Sequence, residues 1–167
     1  MKRQLDETDR TILRMMTADG RQTVRALARA VGLSEPSVRE RLQRLERDGV
    51  IAGYRADLDP ASVDASTAAF IALRFAPGER AKAEVNAGLA AEPCVLEVHE
   101  VAGEDCYWLK VRVSGTTALA DALDRIRAIP SVHGTSTTIV LRTVFERPLG
   151  PDTALPAADA PAAPPAD

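Results

Sequence analysis

A run of polar side chains between residues 37 and 47 has the chemistry to bind nucleic acid. With Val38 taken as the buried direction of a helix, at about 100° per residue, the residues on or near the opposite face are Ser37, Arg39, Glu40, Gln43, Arg44 and Arg47. Guanidinium groups fit a phosphate or the edge of guanine, and a glutamine amide fits the edge of adenine. We predict that this face contacts DNA, with Glu40 ordering Arg44 through an i,i+4 ion pair instead of contacting a base.

Two hydroxyl residues extend the predicted surface. Ser34 can cap the same helix, and Thr23 can cap the one before it. A helix N-terminus can hold a phosphate through its free backbone N–H groups, so both residues join the predicted DNA-contacting set. The alternative is an ordinary solvated helix face, because such faces also carry arginine and glutamate.

The elements that position these side chains are three predicted helices. The first has a cap at Asp6 and ends at Asp19–Gly20, and the second follows Thr23 and ends at Gly32. The third ends before Gly49, where a residue with positive φ is wanted. Two helices joined by a glycine-containing turn, the second behind a serine cap, fit helix-turn-helix geometry and favour the DNA-contacting interpretation.

The residues from about 67 onward change period and predict a β-α-β-β-α-β order, the ferredoxin-like unit. The predicted elements are a strand over 69–73, a helix over 79–91, strands over 95–101 and 107–113, a helix capped by Thr116 or Thr117 and stopped at Pro130, and a strand over 135–144. In the third strand Tyr107 and its alternate residues point one way, and Trp108 and its alternates point the other.

The pattern of the sheet also predicts self-association. Strands one and four are apolar on both sides, whereas two helices cover only one face of a four-stranded sheet. The second face therefore needs another partner, most simply a second copy of the chain, with Trp108 in the interface.

Charge is distributed unevenly along the 167 residues. The net charge is −3, but residues 1–57 sum to +3, residues 58–150 to −3, and residues 151–167 to −3. A basic first block agrees with DNA as its partner. No apolar run approaches the length of a membrane span, and the first residues lack the apolar run of a secretory signal, so we expect a cytoplasmic protein.

Other chemistry-bearing residues are scattered. Cys94 and Cys106 lie twelve positions apart without a second pair, and His99 and His133 are isolated, so we expect no metal and no cofactor. We expect structural roles for the histidines and an inert Cys106. The sequence contains no nucleophile–base pair and no phosphate-binding glycine loop, so we expect no enzyme activity.

Several stretches of this sequence resemble the Lrp/AsnC (feast/famine) transcriptional regulators. They are residues 5–13, 19–21, 27–34, 41–46 and 49–54 in the helical block, and residues 103–111 and 135–141 in the second block. The resemblance runs in order over nearly all of residues 5–145.

The resemblance implies an α+β protein: a winged helix-turn-helix at 1–53, a linker strand at 54–66, and a ferredoxin-like sensing domain at 67–148. Residues 149–167, rich in proline and alanine, are expected to form a disordered tail. The implied function is sequence-specific binding of double-stranded DNA, modulated by an amino acid or related small metabolite bound between sensing domains. The implied assembly is a dimer that associates further, often to an octamer.

The resemblance also implies the residues of an effector site. The turn formed by Gly103, Glu104, Asp105, Cys106 and Tyr107 matches the family's ligand loop, and Thr135 and Thr137 match strand residues that approach the same pocket from a neighbouring chain. Cys106 departs from the more usual aspartate, and a thiol suits an ammonium group poorly. We therefore hypothesise an effector held mainly by backbone groups of the turn and threonine hydroxyls.

Two alternatives remain open on the sequence alone. Some haem-biosynthetic decarboxylases resemble this family over both domains, but the net acidic sensing domain fits a multi-carboxylate substrate badly. A protein-interaction adaptor without DNA binding is disfavoured by the arginine-rich third helix.

Overall fold

The computed structural model describes residues 5–153 and divides the chain into two compact units. Within the described range, one unit joins residues 5–56 with residues 145–153, and the other is Asp57–Val144. The elements are α1 (Glu7–Ala18), α2 (Val24–Val31), α3 (Glu35–Arg47), a short 3₁₀ helix (Pro60–Val63), β1 (Thr67–Phe75), α4 (Glu79–Ala90), β2 (Val95–Glu100), β3 (Tyr107–Val113), α5 (Thr116–Arg127) and β4 (Val132–Ile139). None of the helices in the described range is long and apolar enough to cross a membrane.

The first unit is three helices whose ends are those predicted. Asp6, Thr23 and Ser34 each accept a hydrogen bond from the backbone N–H of the third helical residue, at 2.7, 3.1 and 3.3 Å. Gly32 follows α2 with φ 67°, and Gly49 follows α3 with φ 70°. These caps fix the short connection between α2 and α3 that a helix-turn-helix requires.

A small apolar core holds the three helices together. Its fully or nearly buried residues are Ile12, Leu27, Ala28 and Val38. The partly buried residues around it are Met15, Met16, Val24, Val31 and Leu42. This cluster is small, and polar contacts between α1 and α3 also help to fix the relative orientation of these two helices.

The second unit is the predicted α+β fold, a four-stranded antiparallel sheet in the order β2-β3-β1-β4. In the middle of the sheet Ile71 lies opposite Leu109 on β3 and Thr137 on β4. Buried residues of β1 and β3 pack with Val85 of α4 and Ile126 of α5 in one core. The β-α-β-β-α-β order predicted from the sequence is confirmed.

The other face of the sheet carries few large apolar groups. Trp108 is 47% exposed and Phe70 40% exposed, with Ala72 paired to Trp108 between the central strands. Toward the β2 edge, Glu97 Oε2 accepts one hydrogen bond from His99 Nε2 at 3.1 Å, and Glu97 Oε1 lies 3.3 Å from Lys110 Nζ. The predicted apolar second face is therefore a central aromatic patch with a charged margin.

Three predicted features of element ends and connections differ from the structure. The fourth strand ends at Ile139 instead of residue 144, because Val140 donates the last bond to Ala68 and β1 offers no partner beyond its own start. The linker over 54–66 contains no strand, and the 3₁₀ helix lies within it. Neither Thr116 nor Thr117 caps α5, since the helix begins at Thr116 behind Gly115 and has no side-chain cap.

The chain after the sheet returns to the helical unit. Residues 145–153, placed before in the sensing domain and the tail, group with the three helices. Arg14 Nε donates to Asp152 Oδ2 at 2.5 Å, and Arg10 Nη1 donates to the Pro151 carbonyl at 3.0 Å. The start of the predicted disordered tail is thus ordered on α1, and residues 154–167 lie outside the described residues.

Candidate DNA-contacting helix and effector loop

The solvent-facing side of α3 presents three of the predicted DNA contacts. Arg39, Gln43 and Arg47 are all exposed, and we call these three residues the exposed face of α3. At the start of the helix the Ser34 and Ser37 hydroxyls lie 2.8 Å apart. These groups present hydrogen-bond donors and two positive charges on one side of a capped helix.

Arg44 does not belong to this face, which corrects the prediction. Its Nη2 donates to Asp9 Oδ1 at 2.9 Å and to Oδ2 at 3.2 Å, and its side chain is only 23% exposed. Arg44 lies about 120° from Val38 on the helical wheel, on the flank that meets α1. It therefore pairs with Asp9 across the helix interface, and the predicted pair with Glu40 is not formed.

Arg41 completes a cluster of four charges between α1 and α3. Its Nη1 donates to Asp9 Oδ1 at 2.8 Å and to Asp6 Oδ2 at 2.6 Å. The hydrogen bond from Arg41 holds the pKa of Asp6 below its usual value, and the bonds to Asp6 and Asp9 raise the pKa of Arg41. The spacing of Asp6 and Asp9 predicts a capping-box-like helix start, but it does not predict these ion pairs, because nothing along the chain shows which helix faces which.

Thr23 lies at the start of α2, where its hydroxyl accepts from Ala26 N–H. The side chain is exposed at the helix N-terminus. The residue is placed where a backbone phosphate can approach the free N–H groups of α2.

The predicted effector loop is a turn between β2 and β3 with one strained backbone position. Gly103 has φ 148°, and a Cβ there would meet nothing within 4 Å. The turn is closed by bonds from Val101 N–H to the Cys106 carbonyl at 3.1 Å and from Cys106 N–H to the Leu73 carbonyl at 2.9 Å. The turn is therefore short, is bonded to β1 near its end, and has free space beside Gly103.

The side chains of the loop divide into outward and inward groups. Glu104 is exposed, while Asp105 is half-buried with an oxygen 3.9 Å from Arg74 Nε. Cys106 packs against the core and its Sγ lies 3.9 Å from the Phe75 carbonyl. The loop therefore presents one exposed carboxylate, that of Glu104, and the Asp105 carboxylate lies beside Arg74.

Tyr107 is part of the core. Its ring is 3% exposed and packs edge-on against Phe75 at 4.8 Å between centroids, and its hydroxyl donates to Asn86 Oδ1 at 2.8 Å. Only the backbone of Tyr107 is placed to serve the loop. The alternation in β3 predicts that Tyr107 shares a face with Leu109 and Val111, and the structure places that face against the helices.

Thr135 and Thr137 lie on β4, opposite Leu73 and Ile71 respectively. Thr135 Oγ1 accepts from Arg127 Nε at 2.9 Å. Thr137 Oγ1 is the only buried side-chain oxygen or nitrogen in the described residues that lacks a hydrogen-bond partner. Of the two predicted threonines, Thr137 is the one with an unused hydroxyl.

The remaining chemistry-bearing residues form no second site. Burial raises the pKa of the Cys94 thiol, which leaves it protonated at neutral pH. His99 is bonded to Glu97, and His133 is exposed on β4. In residues 5–153 no group of three or more histidine, cysteine or carboxylate side chains could hold a metal ion.

Comparisons with known proteins cover both units of the chain. Residues 68–149 match the family model described as the Lrp/AsnC ligand binding domain, and residues 5–52 match a winged helix-turn-helix DNA-binding model. The chain is 39% identical over 146 residues to the HTH-type transcriptional regulator LrpA of Mycobacterium tuberculosis, covering 87% of this chain and 95% of that protein. It is 36% identical over 143 residues to the HTH-type transcriptional regulator FL11 of Pyrococcus horikoshii, covering 86% and 93%.

Solved structures agree with the sequence relatives. A transcriptional regulator of Neisseria meningitidis in complex with L-Met superposes with a TM-score of 0.82 at 29% identity, covering 92% of this chain and 97% of that one. A feast or famine regulatory protein of M. tuberculosis complexed with L-methionine gives a TM-score of 0.78 at 38% identity, covering 86% and 96%.

Proposed function

The chain belongs to the Lrp/AsnC family of transcriptional regulators, and on that premise we propose that the exposed face of α3 is its DNA-contacting surface. Like its relatives, it is a DNA-binding regulator and not an enzyme. The observation that carries the proposal is that Arg39, Gln43 and Arg47 share the open side of a capped helix while the other two arginines of α3 are turned toward α1.

The side chains of this surface are expected to bind different parts of the DNA, according to their chemistry. Arg39 and Arg47 bind phosphate or the O6 and N7 atoms of guanine, and Gln43 binds adenine. Ser34, Ser37 and Thr23 place hydroxyls and helix N-termini against the phosphate backbone. Paired α3 helices of a dimer then enter successive major grooves.

A mobility-shift assay on the DNA upstream of the chain's own gene tests this surface. Arg39→Ala, Gln43→Ala and Arg47→Ala are each expected to weaken binding, by about 1–3 kcal/mol where the side chain contacts a base. Arg80→Ala, an exposed arginine on α4, is the matched control and leaves binding unchanged. Unchanged binding in all three α3 variants contradicts the proposal. The absence of any mobility shift with the parent protein at low salt also contradicts it, and would favour an interaction adaptor that does not bind DNA.

We propose further that the chain binds an α-amino acid at the turn around Gly103. Both of the similar structures described above contain L-methionine, and the loop here has open space beside Gly103. Because the Cys106 thiol is turned against the core and its backbone N–H and C=O are bonded to Leu73 and Val101, we expect the ligand to bond to the backbone groups of residues 103–105. The unused Thr137 hydroxyl supplies a further donor or acceptor, from the same or a neighbouring chain.

Calorimetric titration with a panel of amino acids distinguishes backbone from side-chain recognition. Binding that is lost in Gly103→Trp but survives in Glu104→Ala and Asp105→Ala supports recognition by the backbone. Loss in either alanine variant overturns it, since a carboxylate would then hold the ammonium group. Thr137→Val keeps the shape of the side chain and is expected to weaken binding several-fold if its hydroxyl contacts the ligand.

The proposed assembly is a dimer formed through the outer sheet face, with further association that brings effector sites together. Ligand binding between sensing domains changes the spacing of paired α3 helices, through a coupling free energy of about 1–3 kcal/mol. We propose that this activity is cytoplasmic, because there the chain meets both DNA and free amino acids. An assay of DNA binding with and without the amino acid found by calorimetry measures the coupling.

A further inference from the structure

Asp9 is the only buried charged residue in the described part of the chain, and it touches two arginines of the helix proposed to contact DNA. Its exposure is 4%, and the bonds to Arg41 and Arg44 are 2.8 and 2.9 Å long. A buried carboxylate is costly without cationic partners, so neither arginine can leave it without a penalty.

The two arginines lie three positions apart on α3 and converge on one carboxylate of α1. Asp6, the N-cap residue three positions before Asp9, holds Arg41 from a second side at 2.6 Å. Two arginines of α3 and two carboxylates at the start of α1 constrain the rotation and the height of α3 against α1. The apolar cluster beside it has four buried residues, and Leu13 of α1 and Leu45 of α3 are buried as well. Apolar packing is non-directional, so the hydrogen-bonded ion cluster adds the directional contacts between α1 and α3.

The same bonds withhold positive charge from DNA. Arg41 and Arg44 are half-buried and already paired, so a phosphate that bound either of them would leave Asp9 underpaired in the protein. Arg39 and Arg47, by contrast, are exposed. Two of the four α3 arginines are thus held back from the nonspecific, salt-dependent part of binding.

We propose that Asp9 is a positioning residue for DNA recognition: it fixes the presentation of α3 and keeps Arg41 and Arg44 away from phosphates, so that specific binding exceeds nonspecific binding. The inference rests on the proposed function of the exposed face of α3. It assigns Asp9 an effect on specificity without contact with DNA.

Asp9→Asn tests the proposal because asparagine keeps the size and loses the charge. Binding is measured by fluorescence anisotropy on a 30-base-pair duplex, one of random sequence and one from the chain's own upstream region, over about 50–200 mM salt. We expect tighter binding to the random duplex at low salt and a salt slope steeper by about one to two per bound α3. The ratio of specific to random affinity is expected to fall about tenfold or more.

The matched control is Asp121→Asn, an exposed carboxylate on α5 that makes the same change in net charge. It is expected to leave the salt slope and the specificity ratio unchanged. Asp9→Asn with native helical circular dichroism and an unchanged slope and ratio overturns the proposal. Parallel loss of both affinities also overturns it, because a purely structural role predicts that result.

If Asp9→Asn fails to fold, arginine variants test whether Arg44 is kept away from phosphates. Arg44→Met is expected to lower the specificity ratio and leave the salt slope unchanged, while Arg39→Met makes the slope shallower by about one. A slope change in Arg44→Met equal to that of Arg39→Met overturns the proposal, since Arg44 would then contact phosphate. An unchanged slope in both Arg39→Met and Arg47→Met contradicts the proposed DNA surface itself, which separates the two failures.

Discussion

Arg39 and Arg44 lie on the same helix and have different environments. Arg39 is exposed, whereas Arg44 is bonded to a buried carboxylate of a neighbouring helix. Residue type allows both to bind DNA, but the partner that each side chain already has decides which one is available. The side chains of Tyr107 and Cys106 in the effector loop are likewise unavailable to a ligand, because they are turned into the core.

Asp6 combines two roles that can be separated by one substitution. It caps α1 at 2.7 Å and pairs with Arg41, and the bond from Arg41 lowers its pKa. A carboxyl whose pKa is lower in the folded state stabilises the fold above its unfolded pKa, and that stability is lost as the pH falls through the folded pKa. The contribution is thus present at neutral pH and absent in acid.

Asp6→Asn should keep the cap and lose the ion pair. We expect it to be less stable than the parent at pH 7, by at most about 1 kcal/mol because the side chain is half exposed. The difference should shrink as the pH falls below about 4. Urea unfolding at pH 7, 5 and 3.5 measures this, and an equal difference at every pH contradicts it.

At the scale of elements, helix ends follow local chemistry. Gly32 ends α2 in the left-handed region, and a Cβ there would meet no atom within 4 Å, so only the backbone conformation resists substitution. Gly32→Ala is expected to cost about 1 kcal/mol in the free energy of unfolding. Gly53→Ala, also in open space but without a positive φ, is the matched control and should be near neutral.

The packing of α4 depends on the absence of a side chain at Gly88. A Cβ at this position would lie 2.6 Å from Ile129 Cδ1 and 2.9 Å from Cγ1. Gly88→Ala should therefore destabilise the second unit by about 1 kcal/mol, despite the better helix propensity of alanine.

Adding Ile129→Val removes the nearest methyl group and should recover part of the loss caused by Gly88→Ala. A double-mutant cycle by thermal unfolding measures the coupling between the two positions. Additive effects would show that Ile129 moves aside freely and that the steric explanation is wrong.

At the scale of the whole molecule, the outer sheet face is the surface that we propose for self-association. Trp108 is the only tryptophan of the sequence and is 47% exposed at the centre of that face. In a dimer formed there, its fluorescence should shift to shorter wavelength as the protein concentration rises.

Trp108→Glu should reduce the molar mass in solution, because a charge at the centre of an apolar interface leaves a buried ion without a partner. Light scattering after gel filtration gives the mass. Ala120→Glu, on the exposed side of α5, is the control and should retain the parent mass. An unchanged mass in Trp108→Glu would place the interface elsewhere.

The sequence by itself determined the features that depend on neighbouring residues, namely the helix caps and the alternation of side chains along a strand. Caps at Asp6, Thr23 and Ser34 are short-range hydrogen bonds, and the alternation in β3 is a property of consecutive residues, so both were predictable. The order of elements and the fold class followed from the same periodicities. The family followed from motifs spread over both units.

Only the tertiary structure decided which side chains meet across elements. The cluster of Asp9 with Arg41 and Arg44 joins residues more than thirty positions apart, and Asp152 reaches Arg14 across most of the chain. The end of β4 depends on where β1 begins, which β4's own residues do not encode. Long-range contacts of this kind depend on how helices and strands pack, and no spacing within one element records that packing.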